Sequence, residues 1–214
     1  MDGSIHEVIV LTVGLDEGRG SLRIELDDGS SFTVAPDAPE ARGITPGLSV
    51  DPERIDALRV ADERKEIARR VFGWLDRRPR SRADLRRRLR QRGHDDAVID
   101  PVLDRFEQQG LVDDREFATL WVEQAVRRRP VGRTWLWSRL RQQGVDASIA
   151  SEAVDRVLDS EDEVEAARRA LAKRRFDLED DSVRMKAMRF LKQRGFGGAV
   201  VSAVIREARA GDST

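Results

Sequence analysis

The sequence has no cysteine and no tyrosine, and only two histidines, His6 and His94, among 214 residues. Disulfides and thiolate chemistry are excluded, and a conventional His/Cys zinc site lacks the ligands it needs. Nucleophilic or acid–base catalysis has equally little to draw on, so no enzyme activity and no cofactor are expected. No apolar run approaches the roughly 18 to 20 residues that cross a bilayer, and no basic-then-apolar leader follows Met1. Together these absences predict a cytoplasmic, metal-free protein with no membrane partner. Lysine is scarce as well: only Lys65, Lys173, Lys186 and Lys192 accompany 35 arginines.

Charge, by contrast, is abundant. Asp, Glu, Lys and Arg make up 37% of the chain against roughly 25% in an average globular domain, yet the formal net charge is only −1. The sum is a cancellation. Residues 1–63 carry 14 acidic and 5 basic side chains, a balance of −9, and residues 64–214 carry 26 acidic and 34 basic, a balance of +8. A basic segment dominated by arginine suits planar, bidentate contacts to phosphate or carboxylate.

The acidic segment reads as strands. His6 to Val13 form a nearly continuous apolar run (Val8, Ile9, Val10, Leu11) ending at Gly14, which predicts a buried strand. Leu22, Ile24 and Leu26 alternate with charged residues, as do Phe32 and Val34 with their neighbours, and parity decides the turn between them. A two-residue loop at Asp28-Gly29 would put Phe32 on the face opposite Ile24. A three-residue loop over Asp27 to Gly29, with Gly29 left-handed, pairs Ile24 with Phe32 and Leu22 with Val34. The segment Gly14 to Gly20 carries two acids and lacks a Gly-Lys-Ser/Thr ending, so it reads as a strand-connecting turn and not a phosphate loop. An irregular, Pro- and Gly-marked connection follows to Asp51, which is expected to cap a helix with Pro52 in its first turn.

The basic segment repeats. Leu89-Arg90-Gln91-Arg92-Gly93 recurs as Leu140 to Gly144 and as Leu191 to Gly195, a constant spacing of 51 residues. Apolar positions follow in register downstream, and Arg82, Arg133 and Arg184 hold one equivalent position upstream. Each unit reads as three helices. In the first, Ile67, Val71, Trp74 and Leu75 line one helix; Ser81 with Asp84 opens a second that turns Leu85 and Leu89 inward; Gly93 ends it. Asp95 opens a third with Val98, Ile99, Val102, Leu103 and Phe106 inward, and Gly110 closes it. Pro101 conflicts with that helix interior, so either the helix kinks or its regular part starts at Asp100. Asp113 with Glu116 and Ser160 with Glu163 are expected to cap the following units, the second burying Phe117, Leu120 and Trp121. The acids from Asp159 to Glu165 then serve a helix N-terminus and not a metal.

The expected fold is mainly α: three tandem three-helix repeats in an elongated, curved array behind a small β-rich N-terminal module. The boundaries are 1–63, 64–112, 113–159 and 160–214. A compact chain of this length has a radius of gyration near 17 Å, and a value at or below that in solution scattering would refute the elongated array.

On the segment Arg77 to Leu85, on Leu89 to Gly93 with its apolar sequel, and on Gly110-Leu111-Val112-Asp113-Asp114 with Phe117-Ala118, the sequence resembles the RecX family of recombinase regulators. The resemblance covers about residues 64 to 210. It implies a non-enzymatic modulator of RecA, built of tandem three-helix repeats that lie in the groove of the RecA–DNA filament and block its extension or activity. It also implies a RecA filament as partner, with single- or double-stranded DNA as a further one, and a monomeric chain.

The residues are compatible with that implication. Residues 69–92 hold eleven arginines against Asp76 and Asp84, and so have few acids nearby in sequence to pair with. The candidate partner-binding set is Arg80, Arg82, Arg86, Arg87, Arg88, Arg90 and Arg92; Arg127, Arg128, Arg129, Arg133, Arg139 and Arg141; Arg174 and Arg175; and Trp135 and Trp137. The two tryptophans flank inward Leu136 and cannot both point inward, so at least one is exposed. An ordinary solvated face of ion pairs is the plain alternative for any single arginine. The functional alternative is a sequence-tolerant DNA-binding protein with helix-turn-helix-like units, although no helix is rich in Asn, Gln and Ser for reading bases. The acidic module either only solubilises the chain or folds back on the basic face and restrains it.

Overall fold

A computed structural model describes residues 8–16, 20–174, 176 and 178–212. They form two compact units. The first holds the described residues through Arg78 together with Arg86–Gln109, and the second holds Pro79–Leu85 and the described residues from Gly110 onward.

In the first unit, β1 (Val8–Asp16), β2 (Ser21–Leu26), β3 (Ser31–Val34) and β4 (Ser49–Val50) make an antiparallel sheet of order β3-β2-β1-β4. The parity argument holds: Ile24 faces Phe32 and Leu22 faces Val34. The Leu26 N–H donates to the Ser30 carbonyl at 2.9 Å around a three-residue loop in which Gly29 has φ +85°. The buried strand expected within residues 6–13 is corrected over the described residues from Val8 onward. Val10 is buried, but Ile9, Leu11 and Leu15 are 42, 55 and 59% exposed. Only one face of the sheet is covered, so an unbroken apolar run leaves half its side chains outside. The turn expected from Gly14 is also shorter, because Gly14 to Asp16 remain in β1 and pair with Ser21 to Arg23. Gly18 and His6 lie outside the described residues.

Helix α1 (Pro52–Leu75) starts as expected, with Pro52 in its first turn and the Asp51 carboxylate accepting from the Arg54 N–H at 2.8 Å. It runs unbroken through residues 63 and 64, so the boundary expected there falls inside a helix. Its first half covers the sheet: Ile55 and Leu58 join the core of Ile24, Leu26, Phe32 and Val34, and Asp62 accepts from the Thr33 N–H at 3.1 Å. Burial raises the Asp62 carboxyl above the usual range, against the opposing effect of that hydrogen bond. The second half of α1 buries Ile67 and Val71 as the first helix of the first repeat.

That repeat continues through α2 (Arg82–Arg90) and α3 (Asp96–Gln108), with Leu85, Leu89, Ile99 and Leu103 fully buried. Helix α3 begins at Asp96, capped by Asp95, and is helical through Pro101. A helix starting only at Asp100 is therefore excluded. The second repeat comprises α4 (Asp114–Arg128), α5 (Arg133–Gln142) and α6 (Ala147–Val157), and the third α7 (Ser160–Ala172), α8 (Asp181–Gln193) and α9 (Gly198–Asp212). Each has its own core. Phe117, Leu136, Leu140 and Val154 anchor the second, and Ala167, Leu191, Phe196 and Val201 the third.

Two expectations at the helix starts need correcting. Leu120 is exposed and Trp121 half-buried, because Ala118 and Val122 occupy the inward stripe of α4. The cap of α7 is Asp159, whose carboxylate accepts from the Asp162 N–H at 2.8 Å, and Ser160 is already the first helical residue. The sequence offers Asp and Ser in succession there, and the earlier one caps.

Candidate functional site

Two of the three periodic glycines, Gly144 and Gly195, sit where consecutive repeats meet within the second unit. Gly93, Gly144 and Gly195 all have positive φ, +88°, +79° and +81°, the left-handed cap that favours glycine. Gly144 and Gly195 also lie against the start of the preceding repeat's second helix. A Cβ on Gly144 would stand 2.2 Å from the Ala83 Cβ, and one on Gly195 would stand 2.2 Å from the Trp135 backbone nitrogen. The carbonyl just before each glycine is held at the same place. Ser81 Oγ donates to the Gln143 carbonyl at 2.7 Å, and the Gly132 N–H donates to the Arg194 carbonyl at 2.9 Å. Ser81 and Gly132 are themselves 51 residues apart, as are Gln143 and Arg194.

Carboxylates complete the same junctions. The Arg82 N–H donates to Asp114 at 2.8 Å and the Arg133 N–H to Glu163 at 3.1 Å, so an acid in each following helix satisfies an orphan donor of the preceding repeat. Burial raises the Asp114 carboxyl above its usual range, and the Arg82 N–H works against that rise. Local caps occur as well: Ser81 Oγ accepts from the Asp84 N–H at 3.1 Å at the start of α2, and Asp180 accepts from the Ser182 and Val183 N–H groups at the start of α8.

The candidate arginines fall into physically different groups. Some are built into the fold. Arg80 pairs with Asp84 at 2.8 Å, both side chains nearly buried. Arg133 bonds the Leu158 carbonyl at 2.5 Å and Asp155 at 2.6 Å. Arg86 reaches Asp100 at 2.7 Å and Asp96 at 3.1 Å, and Arg90 reaches Asp96 at 2.6 Å. Its hydrogen bond from Arg90 holds the Asp96 carboxyl below the usual range. The expected shortage of acids around residues 69–92 is thus corrected. The partners come from α3, the next helix of the repeat, outside the window in which sequence pairing was counted.

Other arginines sit beside aromatic rings, within cation–π distance. Arg92 sits 5.0 Å from the Trp74 ring centre. Arg129 and Arg139 sit 4.2 and 5.3 Å from Trp135, which stacks on Trp121 at 5.9 Å. Arg141 is 6.0 Å from Trp137 and also bonds the Val145 carbonyl. Arg174 is 4.9 Å from Phe190. As the flanking argument requires, Leu136 is fully buried and Trp137 is 40% exposed, while Trp135 is half-buried. Arg127 has an exposed neighbour, Glu123, at 3.5 Å, and Arg128 is exposed. Arg87 and Arg88 are held by further interactions. Arg175 lies outside the described residues.

Sequence reasoning missed Arg194 and Phe190. The Arg194 guanidinium is 4.6 Å from the Phe190 ring and donates to the Pro130 carbonyl at 3.1 Å. A usable signal was present. Arg194 holds the place of Arg92 in the repeated motif, and both stack on an aromatic ring.

The acids around Asp159 are likewise accounted for by the helix they open: Asp159 caps it, Glu163 holds the Arg133 N–H, and Glu165 pairs with Arg168 at 3.2 Å. Among the described residues no group of three His, Asp or Glu side chains could hold a metal ion, and no helix is long and apolar enough to cross a membrane.

Comparison with known proteins meets this geometry repeat by repeat. Family models for the first, second and third three-helix domains of RecX match residues 69–106, 113–154 and 161–205. The regulatory protein RecX of Thermobifida fusca is 37% identical over 173 residues, covering 79% of this chain and 89% of the relative. That of Amycolatopsis mediterranei is 33% identical over 150 residues, covering 68% and 85%. A crystal structure of a regulatory protein RecX aligns with TM-score 0.76 at 21% identity over 92% of this chain and 98% of that one. The RecX of Lactobacillus salivarius aligns with TM-score 0.61 at 18% identity over 69% and 97%. With all three helical domains matched in order and relatives above 30% identity over most of its length, the chain belongs to the RecX family of regulatory proteins.

Proposed function

We propose that this protein binds the RecA–DNA filament as a monomer and inhibits RecA in recombination and DNA repair, with no reaction of its own. One observation carries this reading: a three-helix repeat recurs every 51 residues and carries arginines off a buried apolar stripe each time. A periodic array of cations suits a partner whose acidic surface or phosphate backbone is itself periodic. The name regulatory protein, borne by the relatives, fits a modulator better than a catalyst.

Within the candidate set, Arg80 and Arg133 serve the frame. The contacts are assigned to Arg87, Arg88 and Arg92 in the first repeat and to Arg127, Arg128, Arg129, Arg139, Arg141, Trp137 and Arg174 beyond it. The domain limits 64–112, 113–159 and 160–214 are proposed as the units that engage successive filament subunits. The test is co-sedimentation with RecA filaments assembled on single-stranded DNA, together with RecA-dependent ATP hydrolysis. Saturable co-sedimentation and loss of hydrolysis are expected. Binding to filaments no tighter than to bare DNA would overturn the reading in favour of a sequence-tolerant DNA-binding protein.

A further inference from the structure

Three arginines from the second and third repeats converge at one junction. Arg129 is the C-cap of α4, Arg194 the C-cap of α8, and Arg174 follows the C-cap of α7. Arg194 and Arg174 share the Phe190 ring, at 4.6 and 4.9 Å, and Phe190 packs against Phe176 at 5.7 Å. Arg194 reaches back to the carbonyl of Pro130, the residue after Arg129, and Arg129 covers Trp135. No carboxylate pairs with any of the three among the described residues.

A cation at each helix C-terminus is favoured by the helix dipole, and that alone would explain one arginine per helix. It does not explain three guanidiniums drawn together where burial and the charges of Arg129 and Arg174 all weaken the protonated form of Arg194. At the frame positions of the other repeats, Arg80, Arg86 and Arg133 each meet an Asp. Here no carboxylate pairs with the cations among the described residues, and each guanidinium carbon lies within 5 Å of an aromatic ring centre, at 4.2 Å for Arg129, 4.9 Å for Arg174 and 4.6 Å for Arg194.

We propose that Arg129, Arg174 and Arg194, seated on Trp135 and Phe190 at the junction of the second and third repeats, bind the phosphodiester backbone of a nucleic-acid strand. Phosphate is favoured over an acidic protein segment because Trp121 and Arg129 both pack on Trp135. The ring is half-buried among them and presents little free aromatic surface as an anchor for a protein partner. What remains on offer is guanidinium, the group that grips phosphate bidentately. The site rests on the filament reading only for where a strand would be met, and it is measured without recombinase.

The experiment is binding of the full chain to a fluorescent oligodeoxythymidylate across a salt series. Arg129→Gln, Arg174→Gln and Arg194→Gln combined should raise Kd about tenfold or more and lower the salt slope by about 0.7 for each phosphate no longer neutralised. Replacing the same three by Lys keeps the charge but loses the planar fork, and should weaken binding less than the glutamine variant while leaving the salt slope unchanged. Arg115→Gln, which removes an ion pair with Glu152 away from the cluster, should leave binding unchanged. Should the triple variant fail to fold, exposed Arg174→Gln alone reads the site, with a smaller loss in the same direction. Native binding by either the glutamine or the lysine variant overturns the proposal, as does displacement of the oligonucleotide by polyglutamate as readily as by unlabelled strand. Co-sedimentation with RecA filaments is scored separately, so loss of one activity does not stand in for the other.

Discussion

Replacing Gly144 by Ala adds one methyl group, and the structure gives its consequences in two separable parts. The φ of +79° costs an L residue about 1–2 kcal/mol wherever it occurs. The new Cβ would also stand 2.2 Å from the Ala83 Cβ, while the Ala83 Cα is 3.7 Å away, so the overlap is almost wholly with one methyl. Overpacking of this kind costs about 1–3 kcal/mol. Gly144→Ala should therefore destabilise by about 2–5 kcal/mol. Gly93→Ala, at φ +88° with nothing within 4 Å of its Cβ, should cost only the first part. Ala83→Gly removes the opposing methyl and by itself costs about 1 kcal/mol in helix propensity. In the double variant the overlap disappears, so the two changes should offset each other by about 1–3 kcal/mol. Urea unfolding, followed by far-ultraviolet circular dichroism and by tryptophan fluorescence, measures all four proteins. Two results would refute the argument: additivity of the Gly144 and Ala83 changes within about 0.5 kcal/mol, or equal destabilisation at Gly93 and Gly144.

Two further outcomes follow from the ion pairs and buried acids. Asp114 has a folded pKa raised by burial, so its contribution to stability is fully present below the ordinary Asp value and is lost as pH rises through the raised one. Asp114→Asn keeps an acceptor for the Arg82 N–H, and its stability relative to the native chain should rise with pH across that window; a flat or falling difference in pH-dependent unfolding would contradict this. Arg86→Glu would set a third carboxylate beside Asp96 and Asp100 and should cost about 1–2 kcal/mol, between the values for exposed and buried pairs. Adding Asp100→Arg should recover part of that loss, and an unchanged melting temperature in the single variant would show the pair to be inert.

Much of the fold was legible because the determining residues are close in sequence. The hairpin loop followed from the parity of Ile24 and Phe32, and the caps at Asp51, Asp95 and Asp113 lie within three residues of the donors they satisfy. Errors arose where the deciding partner is distant or absent. Val8 to Leu11 reads as a buried strand only if both faces of the sheet are covered, and no local pattern reports whether a second layer exists. Leu120 fits the apolar period of α4, yet Ala118 and Val122 fill the stripe that packs. The arginines of α2 looked unpaired because Asp96 and Asp100 come from the next helix, and only folding brings them within 3.1 Å.

The same distinction bears on what the 51-residue motif encodes. The run from Leu89 to Gly93 and its two copies were recognisable as helix ends, and their leucine and glycine do close the second helix of each repeat. The glycine has a second duty that periodicity alone could not assign, since Gly144 and Gly195 are contacted by the preceding repeat and Gly93 is not. The residue before it also changes role along the chain. Arg92 stacks on Trp74 in the first repeat, Gln143 holds Ser81 through its carbonyl in the second, and Arg194 lies on Phe190 beside Arg174 in the third. A position whose backbone is fixed by the junction leaves its side chain free to vary. The third repeat uses that freedom to place a cation that no acid pairs with among the described residues, and Asp180 caps α8. Structural periodicity therefore belongs to the backbone contacts, and functional difference among the repeats belongs to the side chains mounted on them.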